Sequence, residues 1–174
     1  MSRRSKIFSV LVVAFICAAL IRTFVFEGFI VVGDSMEPTI KSGDYVLVNK
    51  LAFLWSEPQR GDIIVARPRD MKQKVVKRVI GLPGERFSIE EDKVVIKTSR
   101  TDSGEVLVEA YLASATTPPT GTTLTNIDPE EYFALGDNRQ VSIDSRELGA
   151  IDRWDIKGRV FGRLRFSGPL FSAF

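Results

Sequence analysis

The first twenty-six residues restrict the fold more than any other part of the chain. Arg3, Arg4 and Lys6 are followed by fifteen uncharged residues, Ile7 to Ile21, in which Ser9 is the only polar side chain. Arg22 and Thr23 interrupt, and Phe24, Val25 and Phe26 resume the apolar run. A bilayer span needs roughly 20 apolar residues, a length reached here if Arg22 extends its guanidinium to the far interface. Basic flanks and apolar character all round suit lipid better than a soluble core. A cleavable signal peptide shares these features, with small residues Cys17, Ala18 and Ala19 near its end. The expectation is a retained anchor, because its end runs directly into the next structured segment. The basic N-terminus then lies in the cytoplasm and the remainder outside it. Two regions follow: the N-terminus and transmembrane anchor at 1–26, and an extracytoplasmic domain at 27–174.

After Phe26 the pattern changes to short β-like runs broken by Gly, Pro and Asp, which predicts a mainly β domain. Strands are expected at Gly28–Val32, Tyr45–Asn49, Ile63–Ala66, Val75–Ile80, Arg86–Glu90, Lys93–Thr98, Glu131–Leu135 and Arg159–Arg165. Pro83–Gly84 fits the centre of a type II turn. Residues 99–127 are rich in Ser, Thr, Pro and Gly and read as a long, variable surface excursion, with room for a strand at Val106–Leu112. The tail, Gly168 to Phe174, either packs on the core or meets lipid.

Composition decides which chemistry is open. The chain has no histidine, which removes Ser-His-Asp and Cys-His catalysis and His-ligated metals together. Its single cysteine, Cys17, supports neither an internal disulfide nor a thiolate metal site. Charge is nearly balanced, 24 Lys and Arg against 22 Asp and Glu, so no nucleic-acid partner is expected. Hydrolytic chemistry must come from Ser, Thr, Lys, Asp, Glu, Tyr or an oxygen-ligated metal.

Three segments carry such groups. Gly33-Asp34-Ser35-Met36-Glu37-Pro38-Thr39 puts a serine after a β-like run and before a proline turn; alone it reads equally as a turn serine. In Lys74-Val75-Val76-Lys77-Arg78-Val79, an extended chain places Lys77 between Val75 and Val79 on one face. Burial there would lower a lysine pKa by several units and make the neutral amine a base, whereas a solvent-facing lysine would simply pair with a carboxylate. The third is Gly136-Asp137-Asn138-Arg139-Gln140-Val141-Ser142-Ile143-Asp144-Ser145-Arg146. Its density of polar side chains suggests a hydrogen-bonded network in which Ser142 and Asp144 share a face. A calcium loop is opposed by Arg139 and Arg146, and no metal is expected. The Gly43-Asp44 and Gly61-Asp62 pairs, each opening a strand, are assigned to architecture.

Together and in this order, these segments resemble bacterial signal peptidase I, the Ser-Lys family of membrane-bound endopeptidases. The resemblance spans about Phe29 to Gly149. It rests on Ser35-Met36-x-Pro38-Thr39, the two Gly-Asp strand openings and Lys77-Arg78-x-x-Gly81-x-Pro83-Gly84-Glu85. Glu109-x-Tyr111-Leu112, Tyr132-Phe133-x-Leu135-Gly136-Asp137-Asn138-Arg139 and Ser142-x-Asp144-Ser145-Arg146 complete it. It implies a β-rich catalytic domain on the outer membrane face that removes signal peptides from exported preproteins after small residues at −3 and −1, without a cofactor, near the secretion translocon. By position, Ser35 matches the nucleophile, Lys77 the base and Ser142 the hydroxyl that orients the lysine. Asp144 and Arg146 match a supporting ion pair, with Arg78 beside the base. Phe29, Val31, Met36 and Val76 match the lining of shallow apolar substrate pockets. Gly33 stands where some members carry a serine that helps hold the oxyanion, and Val32 where many carry proline.

Three other readings remain at this point. A specialised relative would mature a single pilin, conjugation or secretion component. A phage-repressor-type self-cleaving protease shares the dyad but carries a DNA-binding module instead of an anchor. A catalytically silent membrane-tethered binding domain would have no need for Ser35, Lys77 and Ser142 together.

Overall fold

The computed structural model describes residues 3–69, 71–99, 102–112, 116–165 and 171–174. Helix α1 runs from Arg3 to Phe24. Within it, Lys6–Phe24 is long and apolar enough to cross a membrane, about 28 Å at 1.5 Å per residue. Its residues from Lys6 to Phe24 are all exposed, so no protein surface covers them.

The helix passes into strand β1 (Phe26–Ile30) without a linker. Val25 N–H donates to Ile21 as a last helical bond, while Val25 C=O accepts from Lys50 N–H beside the sheet. Lys50 Nζ donates to Thr23 C=O at 2.6 Å, placing a cation and a donor at a helix C-terminus that has unpaired carbonyls and a negative dipole end.

The remaining strands are β2 (Tyr45–Asn49), β3 (Ile63–Ala66), β4 (Val75–Gly81), β5 (Arg86–Glu90), β6 (Lys93–Lys97), β7 (Glu105–Val106), β8 (Leu124–Asn126), β9 (Glu131–Leu135), β10 (Ile151–Asp152), β11 (Ile156–Leu164) and β12 (Phe171–Ala173), with the short helix α2 at Ser145–Leu148. One sheet has the order β1-β2-β11-β3-β4-β9-β10, with β12 also on β11. A smaller sheet has the order β7-β6-β5-β8. The fold is therefore mainly β with one N-terminal helix, as the runs predict.

Strand β11 shapes the larger sheet. Its C-terminal half pairs with β2 and its N-terminal half with β3, and its register slips at Ile156/Gly158 and Val160/Gly162. Such irregularities increase twist and curl a sheet. Gly158 is required there, because a Cβ would lie 2.6 Å from the Asn49 carbonyl oxygen. The alternation of β4 also holds: Val76 packs in one apolar cluster with Met36 and Val48, while Val75 and Val79 pack in another with Ile64 and Tyr132.

Four expectations change. Strand β1 starts at Phe26 and ends at Ile30, so the chain turns away before Val32. The long run at Val106–Leu112 shrinks to Glu105–Val106, since beyond it the chain turns inward. The tail Phe171–Ala173 is a strand on β11; Gly168 to Leu170 lie outside the described residues. The stretch 99–127 is more than a surface excursion: Thr117 is buried, and Thr122 N–H donates to the Arg146 carbonyl.

Candidate active site

Ser35 follows β1 in a compact turn. Glu37 N–H donates to Asp34 C=O and Ile40 N–H to Met36 C=O. Met36 is 1 % exposed and anchors the turn in the core. Gly33 adopts φ +107°, a region that L side chains rarely enter, so a serine at this position would be strained.

Lys77 rises from β4 on the face of Val75 and Val79, opposite Ile64 on β3. Its Nζ stands 2.8 Å from Ser35 Oγ. It is 4 % exposed, and burial lowers its pKa from 10.5 to about 8. Asp144 opposes this shift, Arg146 adds to it, and Asp137 opposes it. Desolvation prevails because both nearby carboxylates already serve arginines.

Those pairs form the floor of the site. Arg78 donates to both oxygens of Asp137 at 2.8 and 2.6 Å and to Gly61 C=O at 2.9 Å, and stacks 3.9 Å above the Tyr111 ring. Asp144 accepts from Arg146 at 2.9 and 3.0 Å and from Gly136 N–H at 3.0 Å, and its carboxylate caps α2 through Arg146 N–H. Arg139 donates to Gly136 C=O at 2.9 Å and to Glu109, which also accepts from Tyr111. Every charge in this buried set is paired, as a low-dielectric interior requires.

Gly136 sits at the centre. A Cβ on it would lie 2.2 Å from Ser142 Oγ and 2.4 Å from the Ser35 carbonyl oxygen. The same carbonyl accepts from Asn138 N–H at 3.0 Å, and Asn138 C=O accepts from Ser142 N–H at 3.1 Å. The backbone of 136–138 thus locks Ser35 and Ser142 to one frame.

A cleft of about 690 Å³ opens from the Ser35–Lys77 contact, lined by Ser35, Lys77, Phe29, Val31, Met36 and Val76 together with Glu27, Ile30, Val32, Met71, Gln73, Lys74 and Val75. All four residues expected to line a substrate pocket are there. Two strand edges flank the cleft. Among the described residues β1 pairs only with β2, and β9 pairs with β4 only from Arg78 onward, leaving one edge of Val75–Lys77 open.

Two neighbouring groups bear on the expected roles. Ser142 Oγ is buried against Gly136 but makes no hydrogen bond to a described residue, so its orienting bond to Lys77 is unmade here. Gly33 N–H is engaged, donating to Ser42 Oγ at 3.2 Å. Ser35 N–H, by contrast, donates to no described residue and is available beside the Ser35 hydroxyl. Sequence reasoning assigned no role to Asp137, Glu109, Tyr111, Thr117 or Arg139. For all but Thr117 the signal was membership of the same motif boxes, but their pairing is long-range and invisible to spacing.

The sequence profile of the family described as "Signal peptidase, peptidase S26" matches residues 4–165. Signal peptidase I P of Bacillus subtilis subsp. natto is 36% identical over 157 residues, which cover 85% of this chain and 81% of that protein. Signal peptidase I of Bacillus caldolyticus is 37% identical over 154 residues, covering 85% and 84%. A crystal structure of a signal peptidase I from Enterococcus faecalis V583 matches with a TM-score of 0.50 at 33% identity, over 60% of this chain and 97% of that one. With its family profile matched along almost the whole length and relatives this similar, the chain belongs to the signal peptidase family, peptidase S26, and is a serine endopeptidase.

Proposed function

We propose that the chain removes signal peptides from exported preproteins by a Ser-Lys mechanism, anchored in the membrane by α1. The observation that carries this is the 2.8 Å contact between Ser35 Oγ and a Lys77 amine that is 4 % exposed. A preprotein segment binds as an extended strand between the open edges of β1 and β4, its backbone bonds giving affinity and its small side chains fitting the Phe29, Val31 and Val76 wall. Neutral Lys77 takes the Ser35 proton as Oγ attacks the carbonyl after the −1 residue. The negative oxygen that forms meets the Ser35 N–H. The tetrahedral intermediate collapses, the C–N bond breaks, and protonated Lys77 gives its proton to the leaving amine. Water, losing a proton to Lys77, then releases the acyl group from Ser35. Asp144, Arg146 and Asp137 set the field at Lys77, and Arg78 holds Asp137 in place.

The bilayer enters through α1. The basic residues before it predict a cytoplasmic N-terminus, with the β domain outside.

The test is cleavage of a purified preprotein in liposomes. Wild type should cut after a small-x-small site, and Ser35→Ala and Lys77→Ala should each lose at least about 10⁴-fold, since either removes the unit that makes the nucleophile. Cutting by Ser35→Ala, or inactivity of wild type on several preproteins, would sink the proposal.

A further inference from the structure

The cleft has two ends. Ser35 and Lys77 meet at one. At the other, Glu27 on β1 and Lys74, one residue before β4, reach towards each other from opposite sides, with Nζ 2.5 Å from Oε1. Their side chains are 34% and 35% exposed. Apart from Lys77 they are the charged residues that line the cleft. Glu27 lies three residues beyond the last residue of α1, Phe24. The pair therefore stands at the anchor end of the cleft, while the dyad stands at the far end.

We infer that the Glu27–Lys74 pair is a specificity element, which reads the charge of substrate residues about four to five positions before the cleaved bond. The inference rests on the peptidase reading above. A preprotein whose apolar segment shares the bilayer with α1 enters the cleft from the anchor end and passes this pair first. Lys74 and Lys77 are three residues apart, about 10 Å at 3.3 Å per residue, and a bound strand covers that distance in about three residues. With the −1 carbonyl at Ser35, residues −4 and −5 meet the pair.

As a pair the two charges neutralise each other, so a substrate carboxylate must displace Glu27 from Lys74, and a substrate ammonium must displace Lys74 from Glu27. Either is disfavoured against a neutral residue. Removing one partner exposes the other. Glu27→Gln leaves Lys74 free to attract an acidic residue, and Lys74→Gln leaves Glu27 free to attract a basic one. Arg22 lines the adjoining cavity on the anchor side of Glu27 and supplies a second cation there, so the first variant should show the larger change.

The experiment measures kcat/KM of the full-length enzyme in liposomes on a preprotein series carrying Ala, Glu or Lys at −5, −4 or, as a remote control, +3. Ratios to the Ala substrate cancel any loss of general activity. Relative to wild type, Glu27→Gln should raise the Glu/Ala ratio at −4 or −5 about threefold or more. Lys74→Gln should raise the Lys/Ala ratio there, and the swap Glu27→Lys/Lys74→Glu should return both ratios to wild type. Ratios at +3 should not move. Equal ratios in all four enzymes, or changes as large at +3, overturn the inference while Ser35-dependent cutting of the Ala substrate leaves the peptidase reading standing. Absence of Ser35-dependent cutting overturns both.

Discussion

At the scale of single residues, the proposed catalysis rests on a lysine held against its own preference. An exposed lysine titrates near 10.4 and is almost wholly charged at neutral pH. Lys77 is brought to about 8 chiefly by burial, so roughly a tenth is neutral at pH 7. Below about pH 8 the protein holds a buried ammonium, and between 8 and 10.5 the unfolded chain binds more protons than the native one, so this residue's unfavourable contribution to stability fades as pH rises. In the proposed mechanism the same titration sets activity. The kcat/KM for a neutral preprotein should climb with pH and reach half its plateau near pH 8, as read from initial rates between pH 6 and 10. A profile flat across that range would mean that Lys77 is not the base. Nearby, Gly136 shows how an absent side chain matters: the space a Cβ would need is already filled by Ser142 Oγ and the Ser35 carbonyl.

Among elements, the junction of β2 with β11 carries a checkable load. Asp44 opens β2, accepts from Lys41 N–H to close the preceding turn, and binds Arg163 and Arg165 at the end of β11. Burial alone would raise its pKa, but the Arg165 hydrogen bond and the other donors outweigh it and hold the carboxyl at about 2. Asp44→Asn keeps the shape and removes the charge, leaving two arginines without their partner, and should cost about 3 kcal/mol. A depressed carboxyl stabilises above its unfolded pKa and loses that effect as pH falls through its folded one. The wild-type advantage should therefore be complete above about pH 4 and shrink towards pH 2, in denaturation curves taken at each pH. The Gly-Asp strand opening is architecture, as the sequence suggested, and its partners lie about 120 residues away.

Over the whole molecule, strand register decides which surfaces lie at the end of the sheet from which α1 leaves. Asn49 pairs with Phe26 on one side and Arg159 on the other. Residues 51–56 and 153–158 therefore extend past the same edge from which α1 leaves. Leu54, Trp55 and Trp154 are highly exposed there, and Arg153 binds both Phe53 C=O and Glu57, tying the two segments together. Amphipathic indole rings favour the headgroup level of a bilayer. The chain has only two tryptophans, so its emission reports on these positions alone. Lipids brominated near the headgroup should quench it in liposomes, with less quenching left in Trp55→Phe and in Trp154→Phe; full emission in brominated lipid would place both rings in water.

The sequence by itself determined much of this protein. The apolar run fixed the helix, because length and uniform hydrophobicity need no partner to be read. Short β-rich runs broken by Gly, Pro and Asp marked the strands at Tyr45–Asn49, Ile63–Ala66, Val75–Ile80 and Glu131–Leu135, the third ending one residue later in the structure, and the absence of histidine removed triad and His-metal chemistry. Motif order brought Ser35, Lys77, Ser142, Asp144, Arg146 and Arg78 forward as candidates. Only the tertiary structure decided that Lys77 is buried, that its amine reaches Ser35 across 42 positions of sequence, and that Ser142 leaves its expected bond unmade. It alone drew Glu109, Tyr111 and Thr117 inward from what composition read as a surface loop, and set Glu27 opposite Lys74. The physical reason is the range of the interactions. Periodicity and capping act within a few residues and leave a local pattern, whereas desolvation and ion pairing depend on which distant strands the curled sheet brings together.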